Sequence, residues 1–221
     1  MATWMVHCRI ADRFLEIFNG KIAPDEFVIG SVAPDCGYGD KDSLGQFDPP
    51  PKVTHWSPSG NKNDCRYKDF YKKYLKDRER DEDYSFYLGY YVHLLTYIMW
   101  SSEMFMRSCD EYAEELKKDK NFVKVIKKDW NDLDFKYYRD NPDMKAYRIL
   151  NKVKSVKNYL PYYEDGQLTT QVRWIAKYYR NDVKPEKLDR EYKYMSEQRI
   201  DDFVDAAIEI IEGHLRQKAL V

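Results

Sequence analysis

Four histidines occur in the 221 residues, and the surroundings of three of them raise a question of chemistry. His7 stands in the apolar run WMVHCRIADRFL and His93 in YLGYYVHLLTYIMW. His55 stands in VTHW, at the end of a glycine- and proline-rich stretch, and Asp35 follows Pro34 in SVAPDCGYGD. A polar ring in an apolar run costs free energy unless it is hydrogen-bonded or holds something. Taken singly, each residue has an ordinary explanation. His7 and His93 read as satisfied core histidines, Asp35 before glycines as a turn former, and His55 as a loop residue packed on Trp56. Taken together, neutral imidazoles with a carboxylate are the ligand set of zinc and related first-row metals. The fourth histidine, His214 in IEGHLRQ, has a charged neighbourhood and no partner in the sequence.

Other catalytic templates fit poorly. The chain has no GxSxG elbow, no GxxxxGK[ST] phosphate loop, no HExxH pair and no His-Asp doublet. Cys8 adjoins His7, but neighbours on a helix point about 100° apart and do not face each other. Cys8, Cys36, Cys65 and Cys109 are widely spaced with no CxxC, which argues for reduced thiols and against a cysteine zinc site. A formal net charge of −1 gives no reason to expect nucleic acid as a partner. The N-terminal stretch carries Arg9, Asp12 and Arg13 where a secretory leader would be apolar. No apolar run approaches the roughly 20 residues of a membrane span. The expectation is a cytoplasmic protein of unknown oligomeric state.

The elements that must position these residues are helices. Val6, Ile10, Phe14 and Ile17 recur at helical spacing over 5–18, and Asn19-Gly20 ends the run. A short helix is expected over 25–33, stopping at Pro34. Residues 35–65 hold Gly37, Gly39, Gly45, Gly60, the Pro49-Pro50-Pro51 run and Pro58, so they read as a long loop. Loops of that length inside a domain are commonly functional, and Phe47, His55 and Trp56 favour an ordered one that covers the site. Beyond it helices are expected near 67–79, 83–117, 120–138, 142–157, 167–180 and 197–218, with no convincing strand. The whole chain, 1–221, reads as one all-α domain.

The four segments carrying His7, Asp35, His55 and His93, in that order, resemble the zinc-dependent phospholipase C family, within the phospholipase C/P1 nuclease superfamily. WMVHCRIADRFL is similar to the family's N-terminal helix and VIGSVAPDCGY to its G-x-x-A-P-D turn. VTHW is similar to its loop histidine and GYYVHLLTYIMW to its central-helix histidine. The resemblance covers roughly residues 3–105. It implies an all-α fold with one to three zinc ions held by His7, Asp35, His55 and His93. Asp35 would also act catalytically, helping to deprotonate water that attacks a phosphoester. The implied substrate is a small phosphoester or a phospholipid headgroup.

Two departures open a different expectation. The family's central helix reads His-x-x-x-Asp, whereas the fifth position here is Tyr97. No histidine occurs between Leu94 and Gly213, where the family supplies more. A phenol is a poor zinc ligand beside a carboxylate. A nearby carboxylate such as Glu103 is expected to complete the site; Asp129, Asp132 and Asp134 in DWNDLD are further candidates, although such clusters are more often helix surface. The alternative is a degenerate relative that binds a ligand or partner without turnover. A helical interaction protein with a tyrosine-rich contact face is the third possibility, motivated by 20 tyrosines.

Overall fold

The computed structural model describes residues 2–39, 47–180 and 187–220; residues 40–46 of the expected loop lie outside the described residues. Helix α1 spans Trp4–Phe18. The Thr3 side chain accepts from the Val6 N–H at its start, and Asn19 closes it in a left-handed conformation with φ 45°. Its apolar stripe buries Val6, Ile10 and Phe14, and places His7 on the same inward side. Helix α2, Pro24–Val32, opens with proline in its first turn and acidic Asp25 and Glu26 beside the helix N-terminus. It runs into a 3₁₀ turn, Ala33–Asp35, that presents Asp35.

A two-residue ribbon pairs β1, Tyr38–Gly39, antiparallel with β2, Phe47–Asp48. It closes the base of the long loop and is a small departure from the strand-free expectation. The rest of that loop is ordered: a four-residue helix α3, Pro51–Thr54, ends at His55, and a 3₁₀ turn follows at Lys62–Asp64. Helix α4 covers Tyr67–Tyr74.

Helix α5, Glu82–Trp100, is the axis of the molecule. Asp81 caps it, accepting from the Tyr84 N–H at 2.7 Å, and every residue from Tyr84 to Leu94 is buried. A helix that is apolar on all sides must be surrounded, and this one is. On one side α2 crosses it at Gly30 and Gly89. A Cβ built on Gly30 would overlap the Phe86 carbonyl oxygen, and one on Gly89 the Phe27 carbonyl oxygen. Backbone therefore packs on backbone here, which only glycine permits.

The sequence predicts a long helix over 83–117 with a break left open, and the structure breaks it. After Trp100 the chain makes a π-helical turn, Ser101–Met106, then α6, Arg107–Glu111, and α7, Ala113–Lys118. The Ser102 hydroxyl donates back to the Met99 carbonyl at 3.1 Å, competing with the regular ladder at the point of change. Helix α8, Phe122–Asp140, α9, Lys145–Lys152, α10, Gln167–Tyr178, and α11, Glu197–Gln217, complete the chain. Trp100 of α5 joins two of them, meeting Trp130 of α8 and Phe203 of α11 edge-on at 5.3 and 5.0 Å. The expected helix over 142–157 is shorter than its pattern, because Val153 turns extended. Among the described residues no helix is long and apolar enough to cross a membrane, and all four cysteines are free.

Candidate metal centre

Four elements far apart in sequence bring His7, Asp35, His55 and His93 to one buried point. One ligand atom from each of His7, Asp35 and His93 lies within 4.8 Å of the other two. His55 joins through its Nε2, 3.2 Å from His93 Nε2 and 3.3 Å from Asp35 Oδ1. The His7 and His93 rings stack at 3.7 Å, nearly parallel. Bonds of about 2.0–2.1 Å in a tetrahedron place neighbouring ligand atoms about 3.3 Å apart. The His55–His93 and His55–Asp35 separations have that length.

Two of the imidazoles, His93 and His55, are held from behind. The His93 Nδ1–H donates to the Ser31 carbonyl at 2.8 Å, because a carbonyl oxygen only accepts. That bond leaves Nε2 with its lone pair directed at the cluster. Gly30 and Gly89 make it possible: Ser31 follows Gly30, His93 lies one turn after Gly89, and only the close crossing brings the two within reach. The Thr54 hydroxyl stands 3.0 Å from His55 Nδ1. A hydroxyl donates or accepts, so either tautomer of His55 is satisfied there.

The charge state matches metal ligation. Burial, with a smaller contribution from His55 and against the opposing pull of Asp35, lowers His7 to about 4. Burial first and then His7 hold His93 well below its ordinary value. Burial alone would raise Asp35, but the approach of His55 and the neighbouring His93 and His7 imidazoles outweigh it and lower its pKa. At neutral pH His7 and His93 are therefore neutral and Asp35 is ionised, the forms a metal takes. Two of its atoms lack partners. His7 Nε2 is buried with no hydrogen bond, and Asp35 Oδ1 meets His55 only at 3.3 Å without hydrogen-bond alignment. Buried polar atoms are nearly always satisfied, so these two fit a centre that takes a cation.

Tyr97 lies one turn after His93 and packs its ring on His55 at 4.5 Å. Burial, then Cys65 and Asp35, push its phenol up to about 12, so it is neutral at the cluster's edge. Glu103 corrects the sequence expectation. It sits in the π-helical turn, 47% exposed, and pairs with Arg107 Nη2 at 2.5 Å. An arginine four residues on, at the solvent edge, satisfies that carboxylate without the cost of burying it. Replacing Glu103 with Ala is expected to leave bound zinc unchanged, as elemental analysis of the purified variant would show.

The acidic stretch on α8 is neither surface nor part of the cluster. Arg190 Nη2 holds both Asp129 and Asp132 at 2.6 Å, and the Tyr194 N–H donates to Asp129. Asp134 accepts from the Thr3 hydroxyl at 2.8 Å and the Tyr179 hydroxyl at 2.9 Å, and burial raises its pKa to about 7. His214 lies elsewhere, 2.8 Å from the Tyr91 hydroxyl.

A cleft of about 360 Å³ opens onto Asp35 and His55. Trp4, Phe47, Trp130, Trp174 and Tyr178 make its walls largely aromatic, while Lys127 and Asn131 of α8 supply polar groups. Trp4, Phe47, Trp130 and Asn131 lie in stretches that stand out in the sequence, whereas Trp174 and Tyr178 carry no signal there.

The family model described as zinc dependent phospholipase C matches residues 6–96, a stretch that holds His7, Asp35, His55 and His93 and stops short of Glu103. No curated protein and no solved structure matches the chain.

Proposed function

We propose that this chain, whose residues 6–96 match the zinc-dependent phospholipase C family model, is a metal-dependent phosphoesterase centred on His7, Asp35, His55 and His93. The observation that carries the proposal is the convergence of these four buried side chains, with His7 Nε2 and Asp35 Oδ1 left unpartnered. Zinc, when bound, supplies a Lewis acid and a water acidic enough to yield hydroxide near neutral pH.

The chain's own residues do the rest. His93 holds its Nε2 lone pair in place through the Ser31 carbonyl, and the Thr54 hydroxyl holds the His55 ring at Nδ1. Asp35, ionised and facing the cleft, is placed to accept a proton from the attacking water. Lys127 offers a cation to the phosphate, and the aromatic walls receive the apolar part of a phosphoester while excluding water. A small phosphoester and a phospholipid headgroup both fit this chemistry. Four free thiols suit a reducing compartment, and we place the protein in the cytoplasm.

One observation favours the second reading, a relative without turnover: Tyr97 puts a neutral phenol where the resemblance implies a carboxylate ligand. Metal analysis of the purified chain, with hydrolysis of bis(p-nitrophenyl) phosphate and p-nitrophenyl phosphate, separates the two. Bound zinc with turnover supports the phosphoesterase, and absence of zinc after supplementation sinks it. Tyr97→Asp is expected to tighten zinc binding by about tenfold or more, because it returns a carboxylate to the face shared with His93. A zinc titration showing no gain would leave Tyr97 with a packing role alone.

A further inference from the structure

We infer that residues 158–167, which lie beyond the family-matched stretch, position Asp35 and His55, with Gln167 and Tyr163 as the positioning residues. For its consequence on metal binding, the inference rests on the metal centre proposed above.

Gln167 opens α10 and is buried at 1% exposure. Its amide nitrogen donates to the Cys36 carbonyl at 3.2 Å and to the Asp48 carbonyl at 2.6 Å; its amide oxygen accepts from the Glu164 N–H at 2.9 Å. Both donors are thus spent on backbone of the loop that carries the site. One grips the residue after Asp35, and the other grips β2 at the entry to α3 and His55. Tyr163, also buried, donates its hydroxyl to the Ala33 carbonyl at 2.5 Å, on the other side of Asp35. The 3₁₀ turn bearing Asp35 is therefore held at both ends from one segment.

The same segment reaches His55 by a third route. The Tyr162 hydroxyl lies 2.7 Å from that of Tyr90, which in turn donates to the Thr54 carbonyl next to His55. The segment is itself braced: the Asn158 side chain donates to the Tyr163 carbonyl at 2.9 Å, and the Tyr87 hydroxyl to the Tyr159 carbonyl at 2.8 Å.

Packing does not require these groups. An apolar side chain of similar size would fill the space of Gln167, and phenylalanine that of Tyr163. What the amide and hydroxyl add is direction, since a fully satisfied buried network fixes one arrangement of the backbone it joins. Metal sites depend on such support, and losing a partner that orients a ligand typically costs about 10–100-fold in affinity.

The test is zinc titration of Tyr163→Phe and Gln167→Met, together with ¹⁵N imidazole spectra of the metal-free proteins. Zinc affinity lower by about 10–100-fold, with displaced His55 resonances and unmoved His214 resonances, is expected. His214 serves as the internal control because it lies outside the network; a general loss of structure would move it as well. Tyr163→Phe removes one oxygen only, so it decides the matter if Gln167→Met does not fold. Wild-type zinc affinity with unmoved His55 resonances in Tyr163→Phe overturns the inference. If the wild-type protein takes no zinc, the metal centre is what fails. The His55 resonances of metal-free Tyr163→Phe then decide positioning alone, displacement supporting it and constancy overturning it.

Discussion

Gly89→Ala is expected to destabilise the protein by roughly 3 kcal/mol, at the upper end of the usual cost of overpacking, and to weaken zinc binding with it. The added methyl would overlap the carbonyl oxygen of Phe27 in α2. That atom is backbone in a hydrogen-bonded helix, so no rotamer change relieves the overlap and the two helices must separate. Separation draws His93 away from the Ser31 carbonyl, the bond that aims its Nε2. A loss of this size lowers the melting temperature by roughly 6–12 °C for a chain of this length. Gly213→Ala is the control. Nothing stands within 4 Å of a Cβ there, and it lies inside α11, so alanine should stabilise by about 0.5–1 kcal/mol. Thermal melts in which both variants behave alike would refute the close-crossing account of α2 and α5.

His93→Ala is expected to abolish zinc binding at the cluster and hydrolysis with it. The ring stacks on His7, faces His55 at 3.2 Å and lies within ligand distance of Asp35, so its removal opens the centre from the middle. Loss of a group that merely orients a ligand costs about 10–100-fold, and loss of the ligand itself should exceed that. His55→Ala should do the same, whereas His214→Ala, which disturbs only the bond to Tyr91, should keep its metal. The decisive measurement is zinc per chain in folded His93→Ala protein; wild-type stoichiometry there would remove the metal centre from the proposal.

The sequence by itself determined much of the helical scaffold. The apolar spacing of α1, the Asn19-Gly20 pair that ends it and the proline that stops α2 are local features, and local patterns are legible residue by residue. The same holds for the candidates His7, Asp35, His55 and His93, because their residue types, surroundings and order are visible along the chain. Their meeting at one point was not visible, since it depends on α2 crossing α5 backbone to backbone. Two glycines 59 positions apart permit that crossing, and no local pattern links them.

Tertiary structure alone settled where each carboxylate goes. Glu103 had the right residue type on what reads as a long helix, but the π-helical turn and Arg107 leave it at the solvent edge. Asp129, Asp132 and Asp134 read as a solvated face, yet Arg190, Thr3 and Tyr179 arrive from distant parts of the chain to bury them. Gln167 had no signal at all, because the two carbonyls it holds come from a loop more than a hundred residues earlier. The physical reason is common to these cases. A helix period records which side of a residue is apolar, whereas the partner that satisfies a buried polar group is chosen by packing between distant segments.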